Sequence, residues 1–333
     1  MRRALELAKL GMGSASPNPM VGCVIVHDGK IIGEGYHKKY GEAHAEVNAV
    51  ASVDDQSLLS ESTAYVTLEP CSFFGNTPPC ADLLITKKLK RVVVCGNDPH
   101  PRVSGKGIEK LKSAGIEVKS GFLEEEGLEV NKRFFTFYKE KRPYIILKWA
   151  QTSDGFVARE NFDSKWISNQ YSRQLVHKWR TEEDAIMVGT NTARYDDPSL
   201  TARDWKGGNP TRIVMDRNLA LPSDLKLFDE EVETLVFTER AKEDQKNITY
   251  IQLPKLSPKQ ILDELYKRRI HSVLIEGGST LLNAFLKENF WDEARVFTAN
   301  TEFGKGIAAP EIHGRPSVEE DIDGDKLETF LNN

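Results

Sequence analysis

The chain has 333 residues, enough at roughly 150 residues per domain for two domains that each bury a core of their own. Apolar residues make up 39% and charged residues 29%, which excludes a disordered or collagen-like chain. Lys and Arg total 45 against 50 Asp and Glu, a net charge of −5, and that balance argues against a non-specific binder of nucleic acid or anionic membrane.

The opening MRRALELAKL scatters charges through its apolar positions and predicts an amphipathic helix from Arg2 to Gly11 rather than a secretion signal. Apolar runs such as Met20 to Val26 fall far short of the ~20 residues of a membrane span. A cytoplasmic protein that engages no membrane is therefore expected. GCVIVHDGKIIGEGYH reads as two strands joined at Asp28-Gly29. After it come a helix from His44 to about Ala51, the strand TAYVTLE, a Pro-rich loop, a helix from about Ala81 and the strand RVVVCG. The loop Asp98-Pro99-His100-Pro101, the helix GIEKLKSAG and the short strand IEVKSG complete an α/β alternation, the pattern of a sheet covered on both faces. The charged, helical stretch LEEEGLEVNKRFFTFYKEKRP ends at Arg142-Pro143, where the boundary is expected, giving domains 1–142 and 143–333.

The second half begins with the strand PYIILKWAQ and a helix from about Asn169 to Arg180. The strand AIMVG, a short helix, and the strands TRIVMD and ETLVFT follow. A helix from Pro258 to Arg269, the strand SVLIE, a helix from Ser279 and the strand ARVFTA complete a second α/β sheet. DKLETFL can supply one more strand, and the acidic run from Glu319 to Asp325 reads as a solvated chain end.

Four cysteines divide into two kinds. Cys23 and Cys95 sit in apolar, strand-like runs and read as small buried hydrophobes. Cys71 and Cys80 lie among polar, Gly and Pro residues, where such a pair points to a metal or to catalysis rather than a disulfide. With His44 they make three zinc ligands, the set that leaves a fourth position open. Glu46 is then the non-ligand carboxylate that shuttles protons in zinc deaminases. Residues two apart face nearly opposite ways on a helix, so this reading needs His44 at the helix start. A closed structural zinc site with Cys23 or another residue as fourth ligand is the alternative. In the second half, Glu276-Gly277-Gly278-Ser279-Thr280 lies where a strand meets a helix. Free backbone amides and the positive end of a helix suit a phosphate there. A plain turn is the alternative, because no G-x-G-x-x-G follows the first strand.

TLEPCSFFGNTPPCADLL, with HAEVNA and PNPMVGCVIV upstream, resembles the deaminase half of the bifunctional riboflavin-biosynthesis deaminase/reductase family. KWAQTSDG, SKWIS and DDPSLTAR occur in the order of its reductase half. The resemblance implies a cytidine-deaminase-like three-layer α/β/α domain followed by a dihydrofolate-reductase-like α/β domain, with zinc and NADPH as cofactors. It implies hydrolytic deamination of a phosphoribosylated diaminopyrimidinone, then reduction of its ribosyl group to ribityl. Asn18 would contact the pyrimidine, or serve simply as a turn residue. Ala150, Trp166, Thr192, Asp196 and the run Gly278, Ser279, Thr280, Leu281, Leu282, Asn283, Ala284 would contact NADPH. Ser164, Arg180, Leu200, Arg203 and Glu276 would contact substrate, the arginines through forks that match phosphate. Lys148 is the candidate polar group beside the reacting sugar, with an outward strand lysine as the bland alternative.

Two departures from the family pattern are Phe73 in place of a His and Asn76 in place of a basic residue. They raise the alternative of a reductase with an impaired deaminase domain. A nucleic-acid base deaminase or binding module is disfavoured by the net charge and the second domain. A zinc-stabilised scaffold without turnover is the remaining alternative. Small phosphorylated pyrimidines are the expected partners, with no nucleic acid, and a homo-oligomer, dimer or tetramer, is expected.

Overall fold

A computed structural model describes residues 1–75, 78–165 and 167–332; Asn76 and Trp166, both singled out above, lie outside the described residues. The chain divides into two compact units, Met1–Lys141 and Arg142–Asn333. Arg142 goes with the second unit, one residue away from the expected division. Its guanidinium grips Asp292 at 2.6 and 2.7 Å, and the same carboxylate accepts the Ile145 N–H at 2.7 Å.

The first unit runs α1 (Arg2–Lys9), β1 (Gly22–His27), β2 (Lys30–Tyr36), α2 (Ala45–Ala51), β3 (Thr63–Val66), α3 (Cys80–Thr86), β4 (Arg91–Val94), α4 (Lys106–Ser113), β5 (Glu117–Lys119), α5 (Glu124–Val130) and α6 (Lys132–Glu140). Its sheet has the order β2-β1-β3-β4-β5. β1 is antiparallel to both neighbours, while β3, β4 and β5 are parallel, so helices must carry the crossovers. Asp28 and Gly29 both take positive φ, +46° and +74°, as the hairpin turn requires. Cys23, Ile25, Ala64, Val66, Val92 and Val94 fill the core between sheet and helices. The charged stretch is helical as expected and forms two helices, α5 and α6, divided at Asn131. That side chain is buried and turned inward, bonded to both the N–H and the C=O of Met20 at 2.8 and 2.9 Å.

The second unit runs β6 (Tyr144–Thr152), β7 (Phe156–Ala158), α7 (Gln170–Glu182), β8 (Ala185–Val188), α8 (Thr190–Asp196), β9 (Thr211–Met215), β10 (Thr234–Thr238), β11 (Ile248–Gln252), α9 (Pro258–Lys267), β12 (Ser272–Ile275), α10 (Ser279–Lys287), β13 (Glu293–Ala299), β14 (Ile307–Ala308), β15 (Val318–Ile322) and β16 (Asp325–Leu331). Nine strands form one sheet in the order β11-β10-β9-β8-β12-β6-β13-β16-β15, and β14 pairs with β7 in a small ribbon. Ile145, Leu147, Ala185, Met187, Ile213, Val273 and Ile275 face one core on this sheet. The acidic run from Glu319 is not a solvated chain end: it is β15, paired antiparallel with β16. The pattern misleads because β15 is an edge strand whose side chains are almost all exposed, and carboxylates there keep the open edge from pairing with another sheet. DKLETFL is β16, antiparallel to β13. Among the described residues no helix is long and apolar enough to cross a membrane.

Candidate active sites

In the first unit, three chain segments converge. His44 is the N-cap of α2 with extended backbone (φ −71°, ψ 166°), which frees its ring from the helical direction. Cys71 follows the end of the β3 segment, and Cys80 is the first residue of α3. The His44 Nδ1 lies 3.3 Å from Cys80 Sγ and 3.6 Å from Cys71 Sγ, and the three ligand atoms all lie within 4.8 Å of one another. A tetrahedral zinc with Zn–S near 2.3 Å and Zn–N near 2.05 Å sets its N and S ligands about 3.5 Å apart. The residues therefore fit the metal. Cys23 lies outside this group; buried in β1, it is a core residue.

The electrostatics of the cluster match the donor set. Hydrogen bonds from the Cys80 and His44 side chains pull the Cys71 thiol down to about 4, so that it is a thiolate at neutral pH. Cys80, keeping the shared proton, is pushed well above the ordinary thiol range. Glu46 is buried, 3% exposed, and its carboxyl is raised to about 7, chiefly by burial and then by the Cys71 charge. It also hydrogen-bonds to Cys80, so a proton-carrying group stands against the ligand cluster. Asn18 is half-buried, with its amide Nδ2 3.1 Å from His37 Nε2. The other nitrogen of that imidazole meets the Ala43 carbonyl at 3.2 Å, and its ring stands edge-on to His44 at 5.3 Å. Phe73 stacks on His100, ring centroids 6.1 Å apart and 21° between planes.

Glu69, directly before Pro70-Cys71, has a role that sequence reasoning missed. Its buried carboxylate accepts the N–H groups of Gly105, Gly107 and Ile108 at 2.9, 2.9 and 3.3 Å, which holds the ligand loop to the start of α4. Its motif position drew attention to Cys71 instead, and no local sequence signal shows that these backbone donors, with the Asp98 N–H at 3.4 Å as a fourth, converge on it.

The second unit contains a cavity of about 1140 Å³, large enough for a dinucleotide beside a smaller ligand. One wall is the turn from β12 into α10. Gly277 has φ +110°, Gly278 is the N-cap of α10, and a Cβ built at Gly278 would come within 3.0 Å of Thr192 Oγ1. The Gly277 carbonyl accepts the N–H of Gly189, the N-cap of α8. Two helices thus begin side by side on this wall, and the absence of side chains at both glycines leaves room for a phosphate-bearing cofactor.

Glu276, directly before this turn, belongs to a buried ion pair. Arg180 on α7 meets both oxygens of Glu276 at 2.7 and 2.8 Å and donates to the Thr201 carbonyl at 2.9 Å. Lys148 on β6 joins this group, its ammonium pKa lowered by burial against the opposing pull of Glu276. α7 itself is fixed at its start, where Asn169 caps it and Ser172 donates to Asp325 at 2.6 Å.

Comparison with known proteins follows the same division. A family model described as "RibD C-terminal domain" matches residues 143–329, and one described as "Cytidine and deoxycytidylate deaminase zinc-binding region" matches residues 1–96. Riboflavin biosynthesis protein RibD of Aquifex aeolicus is 44% identical over 97% of this chain and 92% of its own length. The chain belongs to the RibD family. The Escherichia coli member is 37% identical, covering 90% of this chain and 86% of its own length. The solved deaminase/reductase of Thermotoga maritima superposes with a TM-score of 0.91 at 40% identity, over 99% of this chain and 97% of that one. The fold class is accordingly a deaminase-type unit followed by a RibD-type reductase unit.

Within this RibD-family chain, the residues singled out in the second half are brought together almost completely. Lys148, Ala150, Ser164, Arg180, Thr192, Asp196, Leu200, Arg203, Glu276, Gly278, Ser279, Thr280, Leu281, Leu282 and Ala284 all line the one cavity. Ser164 donates to Asp196 at 2.9 Å, joining a substrate candidate to a cofactor candidate. Asn283 is not brought to the cavity. It lies on the exposed face of α10, with its amide on Ser279 Oγ at 3.2 Å, because Leu282 and Phe285 take the core face of that helix.

Proposed function

We propose that the chain carries out two successive reactions of riboflavin biosynthesis. The first unit deaminates 2,5-diamino-6-(5-phosphoribosylamino)pyrimidin-4-one, and the second reduces the resulting 5-amino-6-(5-phosphoribosylamino)uracil to its ribitylamino form. The observation that carries this reading is the pairing, in one chain, of a His-Cys-Cys cluster touching a buried glutamate with a separate cavity walled by a Gly-Gly helix start and a Lys-Glu-Arg group.

In the first unit His44, Cys71 and Cys80 would hold the zinc, which when bound supplies a water acidic enough to attack at neutral pH. Glu46 takes the proton released in that attack, passes it to the ring nitrogen and returns one to the departing amino group. Water enters, ammonia leaves and a carbonyl replaces the C–NH₂. A carboxyl that titrates near 7 is suited to both halves of this transfer. Asn18, steadied by His37, faces the pyrimidine in this reading.

In the second unit Gly278 to Leu282, Ala284, Thr192, Asp196 and Ala150 would hold NADPH, which when bound supplies a hydride; Trp166 belongs to the same set. That hydride would serve to reduce C1′ of the ring-opened sugar, with a proton added at the attached nitrogen. Lys148, which lines the same cavity with its charge partly destabilised by burial, would give a proton to the sugar oxygen released on ring opening. Arg180 is closed on Glu276, so Arg203, more than half exposed at the cavity, is the arginine available to the substrate phosphate. Ser164 and Leu200 complete the substrate wall. A homo-oligomer and a cytoplasmic location belong to the same reading, on the strength of the family resemblance; light scattering of the purified chain checks the first.

The test is to incubate zinc-loaded protein with the diaminopyrimidinone phosphate, measure ammonia, then add NADPH and follow its oxidation. Ammonia release without NADPH, and NADPH oxidation only afterwards, is the expected result. NADPH oxidation on supplied aminouracil substrate without ammonia release would leave a reductase alone. Neither activity would overturn the reading.

A further inference from the structure

His177 lies on α7 three residues before Arg180, one helical turn away on the same face, and both side chains line the second unit's cavity. The ring is 4% exposed. Its Nε2 lies 3.1 Å from Asp204 Oδ2, and Asp204 in turn approaches Arg203 at 3.9 Å. Burial, followed by the nearby charges of Arg180 and Arg203, holds the imidazole below its ordinary pKa, so the ring is neutral at pH 7. A neutral imidazole carries one N–H. The Asp204 carboxylate can only accept, so that proton sits on Nε2 and leaves Nδ1 as a bare acceptor.

Nδ1 is buried, and no described residue donates to it. Arg180, one turn further along α7, is engaged elsewhere: it directs Nε and Nη2 at Glu276 and Nη1 at the Thr201 carbonyl. A buried acceptor without a donor is costly to hold, and one in the wall of a ligand cavity finds its donor on the ligand. A phosphate does not meet this need, because at neutral pH it offers chiefly acceptor oxygens. On α7 the ring's neighbour at the cavity is Arg180, which pairs with Glu276, and both belong to the substrate set. A sugar hydroxyl does meet it, since it can donate to nitrogen while its own oxygen faces the neighbouring cations.

We propose that His177 is a substrate-contacting residue of the reductase site, its Nδ1 accepting a hydrogen bond from a hydroxyl of the substrate's ribosyl group. The proposal rests on the reductase reading above and adds to it a residue that orients the sugar for hydride transfer.

The experiment measures NADPH affinity and steady-state reduction of the aminouracil ribosyl phosphate with the full chain and three variants. His177→Leu keeps the bulk and removes the acceptor. His177→Asn can place an amide oxygen where Nδ1 stands, and His177→Gln places its amide near Nε2. His177→Leu and His177→Gln are expected to raise the substrate KM about tenfold with NADPH affinity unchanged, while His177→Asn stays within about threefold of the parent. Analogues lacking the 2′- or the 3′-hydroxyl extend the test: with one of them the difference between parent and His177→Leu is expected to vanish. Equal KM for the Asn and Gln variants, a loss of NADPH affinity in His177→Leu, or a full Leu effect with both deoxy analogues overturns the proposal. If His177→Leu does not fold, the Asn and Gln pair still decides. A parent protein that reduces nothing refutes the reductase reading itself, a different outcome from a parent that turns over and a variant that matches it.

Discussion

Glu69 accepts the backbone N–H of Gly107 at 2.9 Å, and the contact is so close that a Cβ on Gly107 would lie 2.0 Å from the Pro70 carbonyl oxygen. The acid stands at the N-terminus of α4, where unpaired backbone donors and the helix dipole favour negative charge. Because Glu69 and Cys71 are two residues apart, whatever holds Glu69 also holds a zinc ligand. Glu69→Ala is expected to lower stability by about 2 kcal/mol and to weaken zinc retention, and Glu69→Gln to retain part of both. Thermal unfolding with and without chelator, with zinc content measured on the same samples, checks this.

Glu46→Gln keeps size and burial but cannot carry the proton. The variant is expected to bind zinc normally, to release ammonia at least about 100-fold more slowly, and to reduce supplied aminouracil substrate at the parental rate. Stripping zinc with chelator is expected to have the same split effect. Loss of the reductase step in either case would contradict the separation of the two sites.

Glu276→Gln removes the charge that Arg180 and Lys148 share. Breaking one side of a buried pair costs about 3 kcal/mol, and the Lys148 ammonium, which Glu276 supports, is expected to lose its proton at lower pH. Denaturant unfolding reads the first effect. The second appears as a downward shift of the alkaline limb in the pH profile of reduction.

His271, buried beside Arg269, titrates at about 3 in the folded chain instead of its usual 6.5. Between those values the unfolded chain binds a proton that the folded chain refuses, so stability rises with pH across this window and falls on acidification from about 6.5 toward 3. The slope from this group is at most ~1.4 kcal/mol per pH unit. His271→Phe is expected to flatten that part of the stability curve, measured as urea midpoint against pH. The backbone bond from His271 N–H to Asp184 at 2.7 Å does not depend on the ring.

The strands and helices that position both sites were legible because their signals are local: alternating apolar runs, Asp28-Gly29, and glycines at a strand-to-helix junction. His44, Cys71 and Cys80 could be grouped because their types are rare and their motifs specific. Glu69 and His177 were not legible, since the first acts on backbone donors from α4 and the second is defined by a tautomer that Asp204 sets across the fold. β15 was misread because an edge strand facing water has the composition of a chain end. Asn283 was grouped with its neighbours by motif, yet helical geometry turns it away from the cavity they share.

β6 is the first strand of the second unit in sequence and lies in the interior of its sheet, between β12 and β13. Its partners, Ser272–Ile275 and Glu293–Ala299, come more than a hundred residues later. On the ribosome, the zinc-ligand unit has all its strands once residue 119 has emerged, and it can close early, as N-terminal domains do. Lys148 and Ala150 must wait on a strand with two bare edges until nearly the whole second unit has been made. The metal-ligating half is thus built to mature first during synthesis, and the cavity for the nucleotide is among the last features the growing chain completes.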